Sequence, residues 1–205
     1  VASFFVSRLD TKIDGLLENL AHEGKFSQER LDELTGRAAV ANARLAFRLF
    51  EDRFFDPRFQ ALKNRGAQIQ RPLWASTSTK NPKYRDVIYV EELIGCETVN
   101  TVPPATLDAF FDHGNIDLTI HNDLDGAHKL MEDLADVGIS LEQVTLELEK
   151  EGVKQFADAF TQLLEAVEGR RIAAVAELGS MATGVKKQVE RLQTMDFSHR
   201  LYQKD

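Results

Sequence analysis

A single cysteine, Cys96, excludes any internal disulfide and makes a reducing, cytoplasmic setting the default expectation. It has neither a basic neighbour nor a partner motif, so it reads as a plain small apolar residue. Positive charge is scarce too: 25 Lys and Arg stand against 33 Asp and Glu, a formal charge of −8. Nonspecific nucleic-acid binding needs a cationic surplus to neutralise phosphates, and this chain has none. A small local cationic pocket for a phosphorylated metabolite remains open. No apolar run approaches the roughly 20 residues of a transmembrane helix, so no membrane partner is expected. The histidines, His22, His113, His121, His128 and His199, show no paired metal spacing. They read as solvated or capping groups, and no metal is expected. The first residues lack a charged n-region and an initiating Met, so they do not read as a signal peptide. Val-Ala-Ser-Phe-Phe-Val reads as entry into a protein in mid-strand.

What is present is an ordinary globular composition, 43% apolar and 28% charged. Val1 to Val6 is apolar, β-branched and aromatic, with only Ser3 polar, which suits a strand covered on both faces. Asp10 to Leu20 predicts a helix with apolar residues at helical spacing, ended by Gly24. Ser27 is a fair N-cap for one long helix to about Phe54, broken by Asp56-Pro57. Arg58 to Lys63 predicts a short helix. Ala67 to Trp74 predicts a second strand, weakened by Pro72, and Thr98 to Val102 a third. Tyr84 to Leu93 reads as helix or strand; a barrel would make it a short crossover. From Ala105 the pattern is helical: Ala105 to His113, Asp123 to Val137, Ser140 to Leu148, Val153 to Glu168 and Ile172 to Leu192. The expected fold class is α/β, with about three parallel strands and C-terminal helices, because every connection is long enough for a crossover. A (β/α)8 barrel needs eight strands and roughly 250 residues. Either the sheet is incomplete here or more of the molecule lies before Val1. The expected division is 1–113 for the last three β/α units, 114–170 for helices packed on a barrel, and 171–205 for a helical tail or linker.

The stretch Gln70-Arg-Pro-Leu-Trp-Ala-Ser-Thr-Ser-Thr-Lys-Asn-Pro82 begins as a strand and ends in a hydroxyl-rich loop with one lysine. Val1 to Arg8 repeats the design: apolar residues, a serine, then an arginine. Ligands of parallel α/β proteins bind at the carboxyl ends of strands. Ser3 and Arg8 belong to the first strand end, Ser76 and Lys80 to the second. Arginine offers phosphate a planar fork and lysine a point charge. These groups form an anion site or are solvated surface charges. A Schiff-base role for Lys80 needs a desolvated amine, for which a place between Thr79 and Asn81, before Pro82, is unsuited. Trp74 reads as core. Phe4 and Phe5 point to opposite faces of one strand. Phe47, Phe50, Phe54, Phe55 and Phe59 read as packing between the long helix and a barrel wall.

At these residues the chain resembles the transaldolases, in their longer bacterial form. The likeness lies in Val1 to Asp10, Gly36 to Ala46, Gln70 to Pro82, and Tyr89 to Leu93 through Thr98 to Pro103. The resemblance implies the C-terminal part of a transaldolase-type (β/α)8 TIM barrel. It implies a transferase of the pentose phosphate pathway that moves a dihydroxyacetone unit between sugar phosphates through a Schiff base, with no cofactor. By resemblance, Arg8, Ser76 and Lys80 are phosphate-binding, and Ser3 and Phe5 line the substrate pocket. Lys80 stands where many relatives have arginine, and Ser78 where glycine is frequent. The family's Schiff-base lysine lies in a Lys-Ile-Pro setting that does not occur here, so no catalytic residue is expected in this chain, and the chain alone is expected to be inactive. The N-terminal barrel half of the same protein is then an implied partner. Asp196 to Asp205 resembles the junction at which some transaldolases are fused to a glucose-6-phosphate isomerase domain, which implies such a domain after Asp205. The alternative to the enzyme reading is a non-catalytic barrel fragment or interaction module with exposed strand edges.

Overall fold

The computed structural model describes residues 1–197. It divides the chain into two compact units, Val1–Glu149 and Lys150–Asp205.

The first unit is organised on a parallel three-stranded sheet in the order β1-β2-β3. β1 is Ala2–Phe5, β2 Pro72–Ala75 and β3 Val99–Asn100. Ala2 pairs with Pro72 and Phe5 with Ala75, while Leu73 and Trp74 pair with Val99 and Asn100. All three strands are shorter than their apolar runs suggest. β2 begins at Pro72, because a residue without an N–H is tolerated best at a strand's first position. β1 is not covered on both faces. Phe4 packs inward with its ring edge-on to Trp74, centroids 5.8 Å apart, while Ser3 and Phe5 are exposed on the other face. Within this chain three strands are too few to curl round and cover that face.

The crossovers supply the core. α1 (Ser7–Glu23) buries Leu9, Ile13 and Leu17 and ends at Gly24 in the left-handed conformation, as its sequence predicts. The single helix expected from Ser27 to Phe54 is two. α2 (Gln28–Asp32) starts on the Ser27 cap, whose hydroxyl accepts from the Arg30 N–H at 3.3 Å. The chain then turns at Gly36, with φ +71, before α3 (Ala38–Phe54). The apolar spacing continues across this break, so periodicity alone could not show it. α4 (Pro57–Lys63) has Asp56 as its cap and Pro57 at its first position. α5 (Ile88–Glu91) resolves the Tyr84 to Leu93 segment as a short helical crossover. α6 (Pro104–His113) and α7 (Leu124–Asp136) follow. The rings of Phe47, Phe50, Phe54 and Phe59 stack in succession along α3 into α4, with centroids 4.7 to 5.6 Å apart. Cys96 is exposed, not an apolar core residue. It follows Gly95 in the short connection that enters β3.

α8 (Leu141–Glu177) is one helix of 37 residues that joins the first two expected helices and takes in the start of the third, Ile172 to Leu192. Gly152 and Gly169 lie inside it, since one glycine costs a helix only about 1 kcal/mol. In the second unit a 3-10 turn at Gly179–Met181 separates α8 from α9 (Ala182–Thr194). Val153, Phe156, Phe160, Leu163 and Val167 are exposed there and follow a three-four spacing, one stripe along α8. No helix among the described residues is long and apolar enough to cross a membrane. The junction-like segment from Asp196 lies, from Ser198 on, outside the described residues.

Candidate functional site

Parallel pairing sets the ends of β1 and β2 side by side. The ladder runs past the strands themselves: the Val6 N–H donates to the Ala75 carbonyl at 2.9 Å and the Ser7 N–H to the Ser76 carbonyl at 3.1 Å. Ser7, the first residue of α1, is buried, and its Oγ lies 2.9 Å from Ser76 Oγ. Ser76 has φ +56, left-handed backbone in a residue with a Cβ, which costs on the order of 1 kcal/mol or more. That conformation turns the chain out of β2 into the loop. The next residue, Thr77, is fully buried and lies 2.9 Å from Asn100 Oδ1 of β3, to which its hydroxyl donates. The loop is thus pinned to the root of α1 and to β3 before it reaches Lys80.

The five residues singled out from sequence fall as follows. Ser3 and Phe5 share the open face of β1. Arg8 sits in the first turn of α1, its guanidinium carbon 5.7 Å from the Phe5 ring centroid. Ser76 joins the two strand ends. Lys80 is exposed and its ammonium donates to Ser78 Oγ at 2.9 Å. Lys80 also lines a crevice of about 170 Å³ with Asp10, Asp14 and Tyr84. Arg8 and Asp10 leave α1 roughly 200° apart, at 100° per residue. The structure therefore brings Ser3, Phe5 and Arg8 together, and Ser76 against the root of α1. Lys80 it places beside a different face of that helix.

That second face carries what sequence reasoning missed. Asp10 Oδ1 accepts from the Ala39 N–H at 2.7 Å and Asp10 Oδ2 from the Tyr89 hydroxyl at 2.7 Å. Asp14 repeats the arrangement one turn on, accepting from the Gly36 N–H at 2.9 Å and the Tyr84 hydroxyl at 2.6 Å. Each carboxylate caps the unpaired N–H groups where α3 begins and grips a tyrosine from the segment after β2. Four of the six buried polar or charged residues among those described, Ser7, Asp10, Asp14 and Thr77, lie at this end of the sheet. Burial of polar groups is costly unless they are paired, so their concentration marks a specified region. The sequence did hold a signal: Asp10 and Asp14, four apart, flank the apolar stripe of Leu9, Ile13 and Leu17.

Burial pushes the Asp10 carboxyl up to about 6, against the opposing pull of the Ala39 N–H and the Tyr89 hydroxyl. Burial likewise raises Asp14. Both tyrosines are pushed up, by burial first and by the adjacent carboxylates after it, so they stay protonated donors. A carboxyl raised from 3.8 to about 6 binds more protons folded than unfolded between those pH values. Its contribution to stability is fully present below the unfolded value and is lost as pH rises through about 6. The span corresponds to on the order of 2–3 kcal/mol. Asp10→Asn keeps an acceptor for Ala39 and removes the titration. Urea midpoints measured from pH 4 to 7 are expected to fall with pH in the parent and to flatten in Asp10→Asn; an unchanged slope contradicts the assignment.

Among the described residues, no group of three or more His, Cys, Asp or Glu is arranged to hold a metal ion. The family model for transaldolase/fructose-6-phosphate aldolase matches residues 1–167. The chain belongs to this family. The transaldolase of Mycolicibacterium smegmatis is 48% identical over 175 residues, covering 85% of this chain and 46% of that protein. The transaldolase of Parafrankia sp. is 44% identical over 184 residues, 89% of this chain and 46% of the relative. That of Trichodesmium erythraeum is 42% identical over 172 residues, 82% and 45%. The chain thus spans less than half the length of these transaldolases. The family fold is of the TIM type, and three parallel strands with their crossovers and C-terminal helices are part of such a barrel.

Proposed function

We propose that this chain forms the phosphate-gripping side of a transaldolase active site. The reaction moves a dihydroxyacetone unit from a ketose phosphate to an aldose phosphate through a Schiff base on a lysine outside residues 1–205. Arg8, Ser76 and Lys80 hold the substrate phosphate, and Ser3 and Phe5 line the pocket. The observation that carries the reading is the seam at Ser7 and Ser76, 2.9 Å between hydroxyl oxygens. It joins the carboxyl ends of two parallel strands that deliver Arg8 and the Lys80 loop, in a chain of the transaldolase family. Lys80, whose side chain lines the Asp10–Asp14 face of α1 in the free protein, turns from Ser78 to the phosphate beside Arg8, an exchange of one exposed hydrogen bond for a charge-assisted one.

The open face of β1 and the edges of β1 and β3 are surfaces for the N-terminal barrel half of the same protein. The functional division is 1–113 for barrel, 114–170 for helices and 171–205 for tail, in a cytoplasmic enzyme. The unpaired edges also favour a second reading, an interaction module that docks by strand addition without catalysis. Borohydride reduction of the intact protein with fructose 6-phosphate separates the two. A glycerol-derived adduct on a lysine outside this chain supports the enzyme. Absence of any adduct with absence of transfer activity supports the module, and an adduct on Lys80 overturns the division of roles.

A further inference from the structure

Lys80 is carried by an exposed loop, and a long flexible ammonium is a poor phosphate ligand unless its backbone is fixed. Past Lys80 the chain makes a tight turn, Asn81-Pro82-Lys83-Tyr84, closed by the Tyr84 N–H donating to the Asn81 carbonyl at 3.1 Å. Asn at the first position and Pro at the second suit such a turn. Asn81 Oδ1 also accepts from the Lys83 N–H at 3.0 Å. The Tyr84 hydroxyl in turn donates to Asp14 at 2.6 Å. The Tyr84 ring lies over Gly36, where a Cβ would meet it at 2.6 Å. A continuous set of contacts therefore runs from the residue beside Lys80, through Asn81 and Tyr84, to a carboxylate on α1.

We infer that Tyr84 and Asp14 are positioning residues for the phosphate-binding side chain Lys80, acting through Asn81. The inference rests on the phosphate reading of Lys80. Neither residue touches substrate; their work is to hold the turn so that the ammonium is presented in one place, which limits the ordering that binding must supply. Two observations set Tyr84 apart from a tyrosine that only fills space. It joins a helix to the turn next to Lys80, the helix through its hydroxyl and the turn through its backbone N–H. Its partner carboxylate spends the other oxygen on the Gly36 N–H, which fixes that carboxylate in turn.

The test uses the intact enzyme and compares kcat/KM for erythrose 4-phosphate with kcat/KM for unphosphorylated erythrose. Tyr84→Phe is expected to lower that ratio about fivefold, the effect of one lost hydrogen bond, mainly through KM for the phosphorylated acceptor. Combined with Lys80→Ala, Tyr84→Phe is expected to lower the ratio no further. Asn81→Ala, at the protein surface, gives the same result if Tyr84→Phe does not fold. An unchanged ratio in the Tyr84 or Asn81 variant overturns the inference while the phosphate reading stands. So does a loss that persists at full size in the Lys80→Ala background. If Lys80→Ala itself leaves the ratio unchanged, the phosphate reading fails and this inference falls with it.

Discussion

Arg8→Ala in the intact enzyme is expected to raise KM for sugar phosphates on the order of 10- to 100-fold, from about 1.5–3 kcal/mol per charge-assisted hydrogen bond. Lys80→Ala is expected to have a smaller effect of the same kind. The difference comes from geometry. Arg8 leaves the first turn of α1, directly after a strand in register with β2, and its guanidinium sits 5.7 Å from the Phe5 ring centroid. A planar fork against an aromatic ring presents two parallel N–H donors with few rotamers to lose. Lys80 offers a point charge from an exposed loop, held by Ser78 in the free protein. Both variants are expected to affect unphosphorylated substrates far less, because those lack the dianion. Arg8→Lys restores charge without the fork and is expected to recover only part of the loss. Equal KM increases for phosphorylated and unphosphorylated substrates would remove Arg8 and Lys80 from the phosphate site.

Trp74→Ala is expected to destabilise the fold by about 3–5 kcal/mol, as truncations of large buried aromatics do. Trp74 is among the largest fully buried side chains, at 1% exposure, and it belongs to the central strand of the sheet. Its ring takes the edge of Phe4, and its carbonyl accepts from the Thr101 N–H at 3.0 Å. Removing the indole opens a cavity exactly where β1, β2 and β3 meet. Trp74→Phe should cost far less, since Trp74 Nε1 has no hydrogen-bond partner to lose and most of the ring volume is kept. Thermal and urea unfolding followed by circular dichroism separate the two variants. Similar small losses for both would contradict the assignment of Trp74 as the keystone of the sheet.

Legibility in the sequence followed the physics of each element. The parallel strands were readable because Val1 to Val6 and the run through Trp74 are apolar where most surrounding segments show helical spacing. The cap at Ser27, the break at Asp56-Pro57 and the stop at Gly24 were readable because each rests on a local side-chain or backbone preference. The break between α2 and α3 was not, because it depends on carboxylates from α1, more than twenty residues away, that cap Gly36 and Ala39. The union of two expected helices and the start of a third into α8 was hidden for the opposite reason: glycines punctuate a pattern that the helix tolerates. Of the proposed site residues, Ser3, Arg8, Ser76 and Lys80 were read from the sequence as strand-end residues, and Phe5 by resemblance alone. Ser7, Thr77, Asp10, Asp14, Tyr84 and Tyr89 act by meeting partners far along the chain, and their pairing is a property of the fold alone.

The most direct test of the phosphate grip is a crystal structure of the intact enzyme with the aldose phosphate acceptor erythrose 4-phosphate bound. The account predicts the phosphate within hydrogen-bond distance of the Arg8 guanidinium and the Lys80 ammonium, with Ser76 beside it at the seam of β1 and β2. A phosphate bound elsewhere, with Arg8 and Lys80 both in contact only with protein or water, would contradict it.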